Sequence, residues 1–279
     1  MGLIKKCVFP AAGYGLRFLP ATKAIPKEML PIISKPIIEY GVEEAMNAGI
    51  SSMVMVISKY KESIRRHFED NTDIEDLIKG TISETYYDEI KMIISKCDFN
   101  FINQSQMLGL GHAIYTAKPL LDDEPFAVIL PDDICSSETE SVLMQIKSVY
   151  EKFPGFCIVA IQEVANDDTD KYGIVTGEKI EGFDNLYLVN NMIEKPDPKN
   201  APSNLAIIGR YILTSEIFNS LENISFDKEG EIQLTEALME VAKRGKVIAC
   251  KFKGMRFDCG NVKGFIKANN HFAELNKII

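Results

Sequence analysis

The sequence offers no CxxC pair, and none of its six cysteines has a histidine close by in the chain. That pattern argues against a zinc site and against a disulfide framework. Cys7, Cys157 and Cys250 sit inside apolar runs and are expected as small core residues. Cys135 and Cys259 lie nearer the loops of interest, but nothing beside them marks a catalytic thiol. Long hydrophobic stretches are also missing. No run reaches about 18 apolar residues, so no membrane span is expected. The opening MGLIKKCVFP carries too few apolar residues before Pro10 for a secretory signal. Lys6 stands where a myristoylation motif wants Ser or Thr. These absences predict a cytoplasmic location. Positive charge is scarce: 31 Lys and Arg face 40 Asp and Glu, for a net charge of −9. A chain so acidic should repel nucleic acid unless a local patch overrides its field.

One stretch does carry such a patch. PAAGYGLRFLPATKAIPKEMLP, residues 10–31, holds two glycines and four prolines. From position 17 to 35 the cations Arg17, Lys23, Lys27 and Lys35 meet only Glu28. A linker would be more polar, and a helix would not tolerate the prolines. A positive pocket on an acidic protein suits a small polyanion better than a duplex. Glycines after a first strand let backbone N–H groups approach a phosphate. Two standard loops do not match. The Walker pattern lacks its Gly-Lys-Ser/Thr ending, and the dinucleotide fingerprint lacks its third glycine, because Gly13 and Gly15 are followed by Phe18. A NAD-dependent dehydrogenase is therefore poorly supported.

Short apolar runs alternate with helical patterns, which predicts an α/β protein with a mixed, mostly parallel central sheet flanked by helices. LIKKCVF, SSMVMVIS, FNFINQ, EPFAVILPDD, FCIVAIQEV and KVIACKFK read as strands. PIIEYGVEEAMNAG, KYKESIRRHFE, GLGHAIYTAKPLL, VLMQIKSVYEKF and GEIQLTEALMEVAKRG read as helices. Residues 71–97 read as an acidic helical excursion, residues up to about 213 as strand-rich, and a last helix starts near 262. No repeat or interdomain linker stands out, so a single domain over 1–279 is expected.

The 10–31 stretch resembles the signature of the sugar-1-phosphate nucleotidyltransferases. The match extends through GLGHAI, FAVILPDD, KYGIV, IEKP, APSNLAIIGRYIL, EIQLTEAL and FDCGN, in the family's order and over nearly the whole chain. AAG at 11–13 agrees with the uridylyl branch rather than the thymidylyl one, as does the long 71–100 segment. The resemblance implies a Rossmann-like, glycosyltransferase-A-like fold. Its nucleotide-binding part would cover about 1–135 and its sugar-binding part about 136–260, with a C-terminal helix at about 262–279. It implies that UTP and glucose 1-phosphate give UDP-glucose and pyrophosphate, with Mg2+. Such a transfer needs two anions held in line and neutralised, and no protein nucleophile.

Residue by residue, the resemblance assigns Arg17 and Lys27 to the triphosphate, where a planar fork and a point charge both suit phosphate. Asp132 and Asp258 match the metal carboxylates; Asp133 rivals Asp132, and strand alternation predicts that only one ligates. Glu194 would accept from glucose hydroxyls, Lys195 would pair with the sugar phosphate, and Gly173 would contact the sugar through its backbone. Ala12, Gly13, Gly15, Gln104 and Gly109 would hold the nucleotide, with Gln106 as a substitute for Gln104. His112 is read as a packing or hydrogen-bonding residue. Leu16 stands where many relatives carry Thr, so a hydroxyl contact to phosphate is lost there. The family's habit implies a homodimer or homotetramer, with the last helix and the 71–100 segment as interfaces. Thymidylyl transfer, or a silent nucleotide-sugar sensor on the same fold, remain the alternatives.

Overall fold

A computed structural model describes residues 4–278, so the MG start lies outside the described part. The first strand, β1 (Lys6–Pro10), leads into the Gly-rich loop, which ends in the short antiparallel pair β2 (Pro31–Ile32) and β3 (Lys35–Pro36). Helix α1 (Ile37–Asn47) begins directly after Pro36, where a missing N–H costs nothing, and Gly49 stops it at φ 79°. Strand β4 (Ser52–Ile57) follows, then α2 (Glu62–His67), much shorter than its amphipathic pattern suggests. The acidic excursion is helical as expected, folding into α3 (Thr72–Ile78) and α4 (Ile82–Lys96) before β5 (Asp98–Asn103). Helix α5 (Gly109–Thr116), β6 (Phe126–Ile129), β7 (Asp133–Ser136) and α6 (Val142–Lys152) complete the first half.

Strands β8 (Cys157–Glu163), β9 (Gly173–Lys179), β10 (Leu186–Glu194) and β11 (Leu205–Leu213) fill the strand-rich middle. Helix α7 (Glu216–Asn223) was not foreseen, although Ile217, Phe218 and Leu221 recur at helical spacing and are buried. Helix α8 (Leu234–Ala242) starts later than GEIQLTEAL suggests. Ile232 instead runs alongside α5, donating to the Leu108 carbonyl and accepting from Gly111, which withholds its backbone from a helix. Strands β12 (Val247–Lys251) and β13 (Met255–Asp258) and helix α9 (Val262–Leu275) close the chain.

Nine strands form one mixed sheet in the order β5-β4-β1-β6-β11-β8-β12-β10-β9. The β5-β4-β1-β6 run and the β8–β12 pair are parallel, while the other neighbours are antiparallel. The sheet is therefore mixed but not mostly parallel as expected, and its parallel character is concentrated in the first half of the chain. There β1, β4 and β6 are buried on both faces, which explains their near-continuous apolar runs, while the edge strand β5 alternates with exposed positions. Two large apolar clusters pack on the sheet. A third, small one joins Ile32, Ile37, Ile134, Cys259, Ala268 and Phe272 at the foot of the loop. Cys7, Cys157 and Cys250 are core residues as expected, and every cysteine is a free thiol. Among the described residues no helix is long and apolar enough to cross a membrane.

Candidate active site

Parallel strands present their carboxyl ends together, and that edge collects the loops of interest. Past β1, Ala11 donates to the Val56 carbonyl at 2.8 Å and Ala12 is buried. Gly13 is exposed, with open space where a side chain would project. Gly15 adopts φ 69° and opens a 3-10 turn, Leu16–Phe18, that carries Arg17. A second such turn, Lys27–Met29, carries Lys27. Two strands away, Gln104 follows β5 and donates its backbone N–H to Ile57 at 2.8 Å. Its buried side-chain amide lies 2.8 Å from His112 Nδ1 and 3.5 Å from the Gly109 carbonyl. Burial lowers the His112 pKa, so the neutral ring is the acceptor for that amide. His112 is thus a hydrogen-bonding residue, as read from the sequence. Gln106 is exposed.

The metal-type carboxylates come from the ribbon that β7 forms with β13, in which Asp133 faces Asp258. Asp132 belongs to the tight turn after β6, closed by the Asp133 N–H to the Leu130 carbonyl at 3.1 Å. The two neighbours separate because of this turn, and not by strand alternation as the sequence suggested. Asp133 is turned inward: one oxygen meets Arg256 Nη2 at 2.6 Å and the other accepts from the Gly209 N–H at 2.9 Å. Both acids touch the cleft, but with the Asp133 oxygens taken it is Asp132 that faces the volume beside Gly260. A Cβ on Gly260 would sit 2.7 Å from Asp132 Oδ2, 3.0 Å from Asp258 Oδ1 and 3.1 Å from Arg17 Nη2. One small volume, kept clear by glycine, is therefore faced by two carboxylates and a guanidinium.

Electrostatics there favour a cation. Burial first, then the negative charge of Asp133, with Asp132 adding, pushes Asp258 above the usual carboxylate range. Burial works against the Asp132 charge too. The Lys27 ammonium, 2.5 Å from Oδ2, outweighs it and holds Asp132 below the usual range. Among the described residues no three His, Cys, Asp or Glu side chains group as a closed metal cage. Two carboxylates beside a phosphate site suit a hard divalent ion that keeps waters and phosphate oxygens as its other ligands.

The opposite wall is built by β9, β10 and α8. Glu194 Oε2 accepts from Thr235 Oγ1 at 2.6 Å, and Lys195 Nζ lies 3.7 Å from Glu194 Oε1. A Cβ on Gly173 would meet Thr235 Oγ1 at 2.8 Å and Glu194 Oε2 at 3.2 Å, so only glycine fits between them. Lys195 holds φ 42°, a left-handed conformation that costs energy for a side-chain-bearing residue and clusters at functional sites.

A cleft of about 850 Å³ lies between these walls. Arg17, Asp132, Gly173, Glu194 and Asp258 line it, and Lys27 reaches it through Asp132. Ala12, Gly13, Gly15, Gln104, Gly109 and Lys195 do not line it. Ala12, Gly13 and Gly15 follow β1 and Gln104 follows β5, outside that lining, while Leu110, next to Gly109, belongs to it. Sequence reasoning overlooked Thr235, although it stands in EIQLTEAL. It also overlooked Arg256, which lines the cleft and pairs with Asp133, and Arg210, which supports Asp133 from behind. Arg210, 1% exposed, reaches Glu44 Oε2 at 2.7 Å and the Asp133 carbonyl at 2.8 Å. Nothing local in IIGRYIL signals that its charge is buried.

Known proteins resemble this chain in sequence and in fold. The family model described as nucleotidyl transferase matches residues 6–274. A UTP–glucose-1-phosphate uridylyltransferase of Pseudomonas aeruginosa is 53% identical over 269 residues, 96% of this chain and 95% of that protein. The crystal structure of an apo UDP-glucose pyrophosphorylase superposes with TM-score 0.93 at 51% identity, over 98% of this chain and all of that one. A UDP-glucose pyrophosphorylase complexed with UDP-glucose gives TM-score 0.89 at 50% identity, over 98% and 99% of the two chains. With a family match that spans nearly the whole sequence and relatives sharing half its residues, the chain belongs to the nucleotidyl transferase family.

Proposed function

We propose that the cleft brings UTP and α-D-glucose 1-phosphate together so that an oxygen of the sugar phosphate attacks the α-phosphorus of UTP. A new O–P bond forms, the α–β bridging bond breaks with its electrons going to pyrophosphate, and UDP-glucose results. The enzyme is a uridylyltransferase, as its half-identical relatives are. The observation that carries the residue assignments is the convergence of Asp132, Asp258 and Arg17 around Gly260, across from Glu194.

Arg17 and Lys27 hold the triphosphate and balance the charge that builds on the leaving pyrophosphate. Asp132 and Asp258 hold the divalent ion, Mg2+ in our reading. When bound, that ion supplies a Lewis acid for phosphate oxygens. Lys195 offsets repulsion between the two phosphates, and Glu194, oriented by Thr235, accepts from sugar hydroxyls beside Gly173. At the base, His112 and the Gly109 carbonyl take the Gln104 NH2, leaving its oxygen to accept from the uracil imide N–H, near Ala12, Gly13 and Gly15. Residues 1–135 thus serve mainly the nucleotide and 136–260 the sugar, within one domain.

Uracil and thymine differ by one methyl, worth only about 1–3 kcal/mol in a pocket. The deciding assay follows pyrophosphate release with glucose 1-phosphate and UTP, dTTP, ATP or CTP, with Mg2+, Mn2+ or chelator. Expected is Mg2+-dependent release with UTP and none from either substrate alone. Equal turnover of dTTP would overturn the base assignment. UDP-glucose binding without any release would leave a silent sensor.

In our reading the enzyme is cytoplasmic, binds neither nucleic acid nor membrane, and assembles as a homodimer or homotetramer. The excursion exposes Leu77, Ile82 and Tyr86, and α9 exposes Val262 and Ile266, which are apolar faces a second copy would cover. Light scattering should give a mass of two or four 31.3 kDa chains. A mass of one chain at working concentration removes the oligomer.

A further inference from the structure

An alternating row of charges runs from the end of β4 into the cleft. Lys61, just past β4, puts Nζ 2.5 Å from Glu28 Oε2, and both side chains are buried. Glu28 stands next to Lys27 in the same 3-10 turn, and Lys27 Nζ rests 2.5 Å from Asp132 Oδ2. The signs therefore read plus, minus, plus, minus from Lys61 to Asp132. The nearest apolar alternative, two well-packed side chains in place of Lys61 and Glu28, would stabilise the protein as well or better. Glu28 is also incompletely paired: its Oε1 has no hydrogen-bond partner, and neither does the buried Ser58 hydroxyl at the end of β4. Burial pushes the Glu28 carboxyl up from its ordinary range against the pull of Lys61 and Lys27, and a buried acid with one oxygen unpaired is a poor device for stability alone.

We propose that Glu28 and Lys61 are positioning residues for the nucleotide, an inference that rests on the uridylyl-transfer reading above. The pair fastens the Lys27 turn to the sheet edge and gives Lys27 a second anion to face when its ammonium leaves Asp132 for phosphate. Without the Glu28 charge, Lys27 has Asp132 as its one close partner and Lys61 as an unscreened like charge behind it. The ammonium then stays on Asp132 and is withdrawn from the triphosphate. The mutual influence of the four groups is consistent with this. Burial opposes the Lys27 charge, yet Asp132 and then Glu28 hold the ammonium above its ordinary range. Burial lowers Lys61 despite Glu28.

Steady-state kinetics on the full chain separate this role from a structural one. Glu28→Gln and Lys61→Met should each raise KM for UTP by about tenfold or more, with KM for glucose 1-phosphate held within about twofold. Lys61→Arg, which keeps the charge, should leave both near wild type. The double variant Glu28→Gln/Lys61→Met should regain melting temperature, because no unpaired charge stays buried, while KM for UTP remains high. A UTP KM that recovers along with melting temperature overturns the proposal, as does an equal rise in both KM values or a Lys61→Arg defect equal to that of Lys61→Met. Lys27→Ala is the control. If it leaves KM for UTP unchanged, the site reading itself fails. If it raises KM while the double variant does not, only the positioning role fails. Should the single variants not fold, the double variant and Lys61→Arg still decide.

Discussion

Asp132→Asn should lower turnover by at least about 10³-fold, the several kcal/mol expected when a metal carboxylate is lost. Asp133→Asn should leave turnover of the folded protein within about tenfold and strike stability instead. The contrast follows from where two adjacent acids point. Asp132 faces the clear volume beside Gly260 together with Asp258 and Arg17. Asp133 serves Arg256 and the Gly209 N–H in the interior. Neutralising Asp133 strands a buried guanidinium, at a cost of about 3–5 kcal/mol, or on the order of 10 °C in melting temperature for a chain this long. Assays well below the transition, paired with circular-dichroism melts, read both effects. If Asp133→Asn is the inactive but stable variant, the two assignments must be exchanged.

The second large effect lies behind the site. Arg210→Met should cost about 3–5 kcal/mol, because Glu44 would keep a buried charge with no cation. Glu44 also accepts from the Leu143 N–H at the start of α6, so protonating it to escape the penalty weakens that helix end. The lost guanidinium further removes the donor to the Asp133 carbonyl, while the Gly209 carbonyl keeps the Leu130 N–H at 2.9 Å. Pairing the change with Glu44→Gln should return most of the loss, which denaturant titration of the single and double variants measures. No recovery in the double variant would mean that the guanidinium matters through the carbonyls rather than through Glu44.

The fold was legible where burial writes itself into the chain. FAVIL, and SMVMVI after its first serine, are apolar on every position because strands covered on both faces have no solvent side, and PIIEYGVEEAMNAG carries its own start and stop. Cationic loop, acids and Glu-Lys pair were legible as motifs. Their mutual placement was not. Lys27 meets Asp132 across 105 positions, and Asp133 meets Arg256 across 123, contacts no local pattern encodes. The extended GEIQ segment was misread because its helical spacing is real, and a tertiary bond to α5 overrides it. Arg210 and Lys61 look like surface cations until their partners arrive from elsewhere in the chain.

The ribbon of β7 and β13 also sets a clock on biosynthesis. Once residue 251 has been added every strand of the large sheet has been made, yet the acid at 258 has still to be joined to the chain. A nascent chain can thus pair its large sheet and still lack one of the two carboxylates that face the volume beside Gly260. A chain that stops before 258 lacks that acid and also the Cys259, Ala268 and Phe272 side chains that pack under the loop, so the second acid and the floor beneath the loop are completed together.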